Sequence, residues 1–138
     1  NERADVALVA GADGVHLPES GLPVASARGL VGPDRLVGCS VHAADLLAAR
    51  AGADFVLFGP VWDTPAKRAF GAPQGLERLA AVARTSTVPV LAVGGVTPER
   101  VSDVLRAGAS GVAVIGAILD ARDPGAAVAA FREALARG

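Results

Sequence analysis

The chain has 138 residues, of which 51% are hydrophobic and 20% charged, and its net charge is −1. This balance predicts one folded domain with an apolar core and argues against disorder. With 4% aromatic residues and no basic excess, we expect neither a base-stacking surface nor a basic face for nucleic acid. The single cysteine, Cys39, excludes a disulfide framework and favours a reducing, intracellular setting.

The uncharged segments of the chain are too short to cross a membrane. The two longest, Thr85–Pro98 and Ala107–Leu119, fall short of the roughly 18 to 20 apolar residues that a spanning helix needs. We therefore expect a cytoplasmic protein with neither a membrane nor a nucleic acid as partner. The sequence leaves open whether the chain also forms a homo-oligomer.

Five β-strands are predicted, in chain order, after a short helix start near the amino end. Three of them follow a Gly-Ala-Asp or Gly-Ala-Ser turn, at residues 11–17, 52–59 and 108–115, where glycine is expected to end a helix in a left-handed cap. The other two are 36–40 and 88–93. All five runs are apolar at consecutive positions, which is typical of strands buried on both faces of a parallel sheet.

Helices are predicted between and after these strands. The segments are 22–30, 43–51, 74–84, 97–107 and 124–137. Thr97 before Pro98, and Asp123 before Pro124, each place a capping side chain ahead of a proline at the first helical position. The alternation of strands and helices indicates an α/β fold with a parallel sheet.

Two architectures fit this alternation, a doubly wound open sheet and a (β/α)₈ barrel. The first strand lacks the GxGxxG turn of a dinucleotide-binding sheet, and the strands start about 20 residues apart except across the loop Pro60–Pro73. This spacing favours a barrel, which needs eight strands and typically about 250 residues. We therefore interpret residues 1–138 as one partial barrel domain, its C-terminal five βα units.

Active sites of such barrels lie on the loops that follow the strands, which selects the candidate residues. His42 follows the strand that contains Ser40, and an imidazole there can exchange protons near neutral pH. A capping or buried histidine is the alternative for His42. His16, near the end of another strand, is equally compatible with a hydrogen-bonded core histidine. Cys39 has no second group that marks it as a nucleophile.

Glycines at two successive strand ends suggest a phosphate site. Gly94 and Gly95 end one strand, and Gly116 with Ile115 ends the next, where backbone N–H groups can approach an anion closely. In the long loop between residues 60 and 73, Thr64 could bind an anionic group and Lys67 could neutralise it. Tight turns and a solvated loop are the alternatives.

Six segments, in order along the whole chain, resemble the thiamine phosphate synthase family and its sister branch, the TenI-like thiazole tautomerases. They are Gly11–Leu17, Ser40–His42, Gly52–Val61, Thr64–Lys67, Gly94–Thr97 and Gly111–Ile118. The resemblance implies a TIM barrel in which Asn1 ends the family's third strand, so that the first three strands are absent here. It also implies that Gly95, Ile115 and Gly116 hold a thiazole phosphate, with Gly94, Thr64, Lys67, Asn1 and Ser40 as further binding residues.

The two branches differ in chemistry. The synthase joins a pyrimidine pyrophosphate to the thiazole phosphate with Mg²⁺, whereas the tautomerase moves a proton within a thiazole phosphate carboxylate and needs no metal. Glu2 stands where the synthase has a metal-binding Asp, Gly21 stands where it has a second acidic ligand, and Ala66 replaces a loop Thr. The leading expectation is therefore a tautomerase with His42 as the catalytic residue and no metal ligands.

Two further functions stay open. One is a divergent synthase in which Glu2 and Glu19 replace the usual Mg²⁺ ligands. The other is a non-catalytic regulatory barrel or an inactive fragment, because fold alone does not fix function.

Overall fold

Five parallel strands form one sheet, in the same order in space as in the chain. The computed structural model describes residues 1–64 and 72–138. Within them the strands are β1 (Gly14–Leu17), β2 (Leu36–Val41), β3 (Phe55–Phe58), β4 (Val90–Val93) and β5 (Gly111–Ala113). A doubly wound sheet reverses its strand order at a switch point. The sequential order contains no reversal and confirms the prediction of barrel-type βα units.

Helical segments connect these strands. The α-helices are α1 (Ala4–Val9), α2 (Val24–Val31), α3 (Gly75–Thr85), α4 (Val101–Arg106), α5 (Gly116–Leu119) and α6 (Pro124–Arg137). Within the described residues, 3₁₀ helices cover Ala44–Arg50 and Pro98–Arg100. No helix among residues 1–64 and 72–138 is long and apolar enough to cross a membrane.

The two faces of the sheet differ in burial. On one face the side chains of β1 to β4 are buried under the helices, and they include Leu17, Val37, Cys39, Val56, Phe58 and Ala92. The strand register places His16, Ser40, Phe55, Leu57 and Leu91 together on the other face, where all five are half-buried. Consecutive apolar residues along each strand thus serve both faces, as the sequence predicted.

The glycine turns before three strands agree with the sequence prediction, whereas two helices differ from it. Gly11, Gly52 and Gly108 have φ of 65°, 86° and 93°, which confirms the left-handed turns before three strands. The predicted helix 43–51 is a 3₁₀ helix over Ala44–Arg50, and it follows the extended residue Ala43. Helix α5, directly after β5, was not predicted.

Two capping residues were predicted, and one of them caps. Asp123 accepts a hydrogen bond from the backbone N–H of Ala126 at 2.9 Å, as expected for α6. Thr97 precedes Pro98 in an extended conformation, but its side chain makes no capping hydrogen bond to the 3₁₀ helix. The Thr97 hydroxyl acts on the carboxyl of Glu99 instead and is the largest cause of the lowered pKa of Glu99.

An ion pair fastens α2 to the sheet at its amino edge. Arg28 on α2 donates from Nη2 to Oδ2 of Asp54 at 2.6 Å, and the same oxygen accepts from the backbone N–H of Val37 at 2.6 Å. Burial acts to raise the pKa of Asp54, but the hydrogen bonds from Val37 and Arg28 outweigh it and the pKa is lowered. One carboxylate therefore joins α2, β2 and the start of β3.

The strand end at Gly59 is expected to tolerate no side chain. A Cβ on Gly59 would lie 2.1 Å from the carbonyl oxygen of Val93, whereas a Cβ on Gly29 in α2 meets nothing within 4 Å. Gly59→Ala should lower the free energy of unfolding by about 2 to 3 kcal/mol. Gly29→Ala, in an exposed helix, should raise it by up to about 1 kcal/mol. Denaturant titration of the full-length gene product measures both, and equal stabilities would contradict the close approach.

Candidate functional site

A pocket of about 500 Å³ opens at the carboxyl ends of β4 and β5. Its lining includes five of the residues that the sequence singled out: Thr64, Gly94, Gly95, Ile115 and Gly116. Three separate loops bring them together, those that follow β3, β4 and β5. The pocket is therefore a product of the parallel sheet, whose strands end at one edge.

Glycine is required on the β4 side of the pocket. Gly94 and Gly95 have φ of 93° and 65°, in the left-handed region that favours glycine. A Cβ on Gly94 would lie 2.6 Å from the Cα of Pro60, and one on Gly95 would lie 2.7 Å from the Cβ of Trp62. Both the backbone conformation and the packing of the neighbouring loop thus exclude larger residues at the two positions.

On the β5 side the backbone turns directly into the short helix α5. Ile115 precedes this helix and is 72% exposed, and the carbonyl of Ile115 accepts from the N–H of Leu119 at 2.9 Å. Asp120 also lines the pocket, and a Cβ on Gly116 would lie 2.7 Å from Oδ2 of Asp120. The described lining therefore contains one carboxylate and no basic side chain.

A second group of polar residues lies at the ends of β1 and β2. His16 and Ser40 point to the same face of the sheet, and Nε2 of His16 lies 2.9 Å from Oγ of Ser40. The His16 ring stacks near Phe55, with ring centroids 6.1 Å apart. Burial lowers the pKa of His16, and its Nδ1 is buried without a hydrogen-bond partner among the described residues.

His42 pairs with a carboxylate from the preceding βα loop. Its Nδ1 lies 2.5 Å from Oε2 of Glu19, and the two side chains are 40% and 36% exposed. Arg50 on the 3₁₀ helix donates to the backbone carbonyl of Glu19 and thereby joins this loop to the 3₁₀ helix that follows β2. A carboxylate at Nδ1 leaves Nε2 of the imidazole as the atom that can face a substrate.

The amino end of the chain lies beside the carboxyl end of β1. Asn1 is exposed, and the next residue, Glu2, has φ of 66° and donates its N–H to the carbonyl of His16 at 2.7 Å. The amino end is therefore tied to the carboxyl end of β1, on the same side as Ser40 and His42. Lys67 lies outside the described residues, which end at Thr64 and resume at residue 72.

The described residues do not make a complete magnesium site. Mg²⁺ requires several oxygen ligands in near-octahedral geometry. Among residues 1–64 and 72–138 no group of three Asp, Glu, His or Cys residues could hold a metal ion. The carboxylate of Glu19 is bonded to His42, and Gly21 offers no side-chain donor.

Sequence reasoning missed two features of the pocket. Asp120 was not considered. It lies four residues after Gly116, and a helix that starts at Gly116 brings these two positions to the same face. Arg100 was not considered either, yet its Nη1 donates to the carbonyl of Gly95 at 2.6 Å. No local sequence pattern signals this second contact.

A barrel-type sheet with a glycine-lined pocket at its last two strand ends is typical of phosphate-binding (β/α)₈ barrels. A family model described as thiamine monophosphate synthase matches residues 1–118. The chain belongs to this family.

Its relatives agree with that assignment. The chain is 50% identical over 126 residues to a putative thiamine-phosphate synthase of Geobacter sulfurreducens, covering 90% of this chain and 59% of the relative. It is 49% identical over 142 residues to the thiamine-phosphate synthase of Anaeromyxobacter dehalogenans, covering 100% of this chain and 63% of that one. The chain thus spans about three fifths of the length of these relatives.

The fold is also that of a solved relative. A thiamine phosphate pyrophosphorylase from Pyrococcus furiosus superposes with a TM-score of 0.86 at 33% identity, over 99% of this chain and 65% of that protein. The five βα units are therefore part of a TIM barrel of this family, as predicted.

Removing the charge of Asp120 is expected to strengthen anion binding in the pocket. A carboxylate at the rim repels a phosphate by about 1 kcal/mol at an effective dielectric between that of water and that of a protein surface. Asp120→Asn should therefore bind inorganic phosphate about fivefold more tightly, and added salt should shrink the difference. Calorimetric titration measures this. Glu133→Gln, on the exposed face of α6, is the matched control and should leave the affinity unchanged.

Proposed function

We propose that the chain carries the substrate-binding face of a thiamine-phosphate synthase, which joins a pyrimidine pyrophosphate to a thiazole phosphate and releases pyrophosphate. In that reaction the methylene carbon of the pyrimidine substrate forms a new bond to the thiazole nitrogen, and its carbon–oxygen bond to the leaving pyrophosphate breaks. The tautomerase was the leading expectation from sequence. The names and identities of the relatives support the synthase instead.

The observation that carries this proposal is the separation of two polar groups at one edge of the sheet. One group lies at β1 and β2 and contains His16, Ser40 and His42. The other lies at β4 and β5 and is the glycine-lined pocket. Neighbouring strands lie about 4.8 Å apart, and two to four strand spacings separate the groups, so they are roughly 10 to 19 Å apart along the sheet. Such a distance suits two substrates side by side better than one small ring.

We assign the phosphate of the thiazole to the pocket at β4 and β5. The N–H groups around Gly95 and Gly116 would bind its oxygens, and the hydroxyl of Thr64 would add a donor from the third loop. Lys67, further along that loop, would neutralise anionic charge. Asn1, Ser40 and His16 would face the pyrimidine side.

Between the two groups the sheet offers an apolar floor. Phe55, Leu57 and Leu91 lie on the same face as Ser40 and are half-buried. Flat heteroaromatic rings bind well against such side chains, while the polar groups at both ends fix their orientation. This arrangement would hold two rings with their reacting atoms above β3.

The proposal is tested by a thiochrome fluorescence assay on the full-length gene product with pyrimidine pyrophosphate, thiazole phosphate and Mg²⁺, the metal that the resemblance implies. Product formation is expected. Thr64→Val should lower kcat/KM for thiazole phosphate at least tenfold, because a hydrogen bond to a charged group contributes about 1.5 to 3 kcal/mol.

The matched control is Thr85→Val, which removes an exposed hydroxyl at the end of α3 that bonds only the carbonyls of its own helix. This variant should keep kcat/KM within about twofold of the parent. No thiochrome signal from the parent, with a working reference synthase in the same assay, would refute the synthase.

A tautomerase is the second candidate, and the His42–Glu19 pair favours it. A carboxylate that holds one ring nitrogen sets the tautomer and orientation of an imidazole, and this is the arrangement that a proton-transferring histidine needs. A tautomerase would use Nε2 of His42 to move a proton between two atoms of a bound thiazole. It would need no pyrimidine site.

If the tautomerase reaction occurs, His42→Ala should lower its rate at least a hundredfold, in line with the contribution of a positioned acid-base group. Glu19→Gln should lower it about tenfold, because the imidazole would lose its charged partner. Isomerisation of the thiazole phosphate carboxylate can be followed by proton NMR, with Glu77→Gln on the exposed face of α3 as control. A full rate in His42→Ala would exclude this candidate.

A further inference from the structure

The loop after β3 lies directly against the turn after β4. The N–H of Val61 donates to the carbonyl of Val93 at 2.9 Å, and the N–H of Trp62 donates to the carbonyl of Gly94 at 3.1 Å. These bonds continue the pairing of the two strands beyond their ends. The Trp62 side chain then packs so closely that no Cβ fits on Gly95.

Arg100 joins the same two loops from the other side. Its guanidinium carbon lies 4.8 Å from the centroid of the Trp62 ring, within the range of a cation–π contact. Its Nη1 donates to the carbonyl of Gly95 at 2.6 Å. One half-buried side chain therefore contacts the aromatic ring of the β3 loop and the backbone of the β4 turn at once.

Two carbonyls of the β4 turn are thus held in place: that of Gly94 by the N–H of Trp62, and that of Gly95 by Arg100. These two hydrogen bonds determine where the N–H groups of Gly95 and Val96 point. In a planar trans peptide the C=O and the N–H lie on opposite sides. Holding the carbonyl of Gly94 toward Trp62 turns the N–H of Gly95 away from the β3 loop. Holding the carbonyl of Gly95 toward Arg100 turns the N–H of Val96 away from Arg100 in the same manner.

Both N–H groups belong to residues that line the pocket. Within residues 1–64 and 72–138, no backbone carbonyl accepts a hydrogen bond from the N–H of Gly95 or of Val96. Val96 lines the pocket although the residue is only 3% exposed, so an acceptor for its N–H has to come from the pocket. An anion in the pocket would supply the missing acceptors.

We propose that Arg100 is a positioning residue that, together with Trp62, aims the N–H groups of Gly95 and Val96 at an anion in the pocket. It acts from behind the turn and does not line the pocket itself. The identity of that anion as the thiazole phosphate rests on the proposed function. The positioning role does not, because inorganic phosphate can be used as a probe.

The test compares thiazole phosphate with the corresponding thiazole alcohol, using the full-length gene product. Trp62 is the single tryptophan of these 138 residues and its emission can report binding, with Trp62→Phe as the blank. Arg100→Met should weaken thiazole phosphate about tenfold and leave the alcohol within about twofold. A general loss of structure would weaken both. Arg100→Lys, which can still donate to Gly95 but cannot stack as a plane, should recover part of the loss.

Arg106→Met is the matched control, because Arg106 is 74% exposed on α4 and pairs with Asp103. It should bind thiazole phosphate as the parent does. Equal affinities of Arg100→Met and the parent would overturn the proposal, as would equal losses for phosphate and alcohol. A parent that fails to bind thiazole phosphate refutes the proposed function. In that case inorganic phosphate decides: tighter binding by the parent than by Arg100→Met supports the positioning role, and equal or absent binding overturns it.

Discussion

The parallel hydrogen-bond ladder from β1 to β5 is the constraint on which the candidate site depends. Because all five strands run in one direction, all of their carboxyl ends lie at one edge of the sheet. Residues far apart in sequence, such as His16, Thr64 and Gly116, therefore lie at the same edge without any direct attraction between them. Burial of one face under the helices stabilises the ladder, and the loops at the carboxyl edge stay available for ligands.

The close approach of the β3 and β4 loops follows from the same ladder. Backbone bonds continue past the strand ends to Val61 and Trp62, which leaves no room for side chains on Gly59, Gly94 or Gly95. The glycines are thus a consequence of the distance between two backbones as much as of their φ angles. Their lack of side chains then leaves the peptide groups accessible from the pocket.

The sequence predicted the strands and the edge where the site lies because both depend on local patterns. Runs of apolar residues and left-handed glycines at positions 11, 52 and 108 are visible in the chain itself. The contacts of Arg100 and the pairing of Glu19 with His42 were not predicted, because each joins side chains from different loops. Their geometry depends on the strand register and on loop conformations that no local pattern specifies. Helix α5 was missed for a related reason, since four residues carry too little periodicity to recognise.

The sequence placed the tautomerase first, whereas the names of the relatives favour the synthase. The substitutions at Glu2, Gly21 and Ala66 concern metal and pyrophosphate groups, and together with the glycines of the pocket they favoured the tautomerase. That pocket, in its described part, offers an anion peptide dipoles rather than cationic side chains, and Asp120 at its rim opposes binding. A peptide dipole stabilises an anion only while its N–H points at the anion, because the interaction changes sign when the peptide plane turns over. A lysine ammonium, in contrast, attracts an anion from many directions. A site of this kind depends on groups that prevent the peptide planes from turning. The hydrogen bonds from Trp62 and Arg100 supply that restraint, so anion affinity here is set by residues behind the backbone as well as by those that face the ligand.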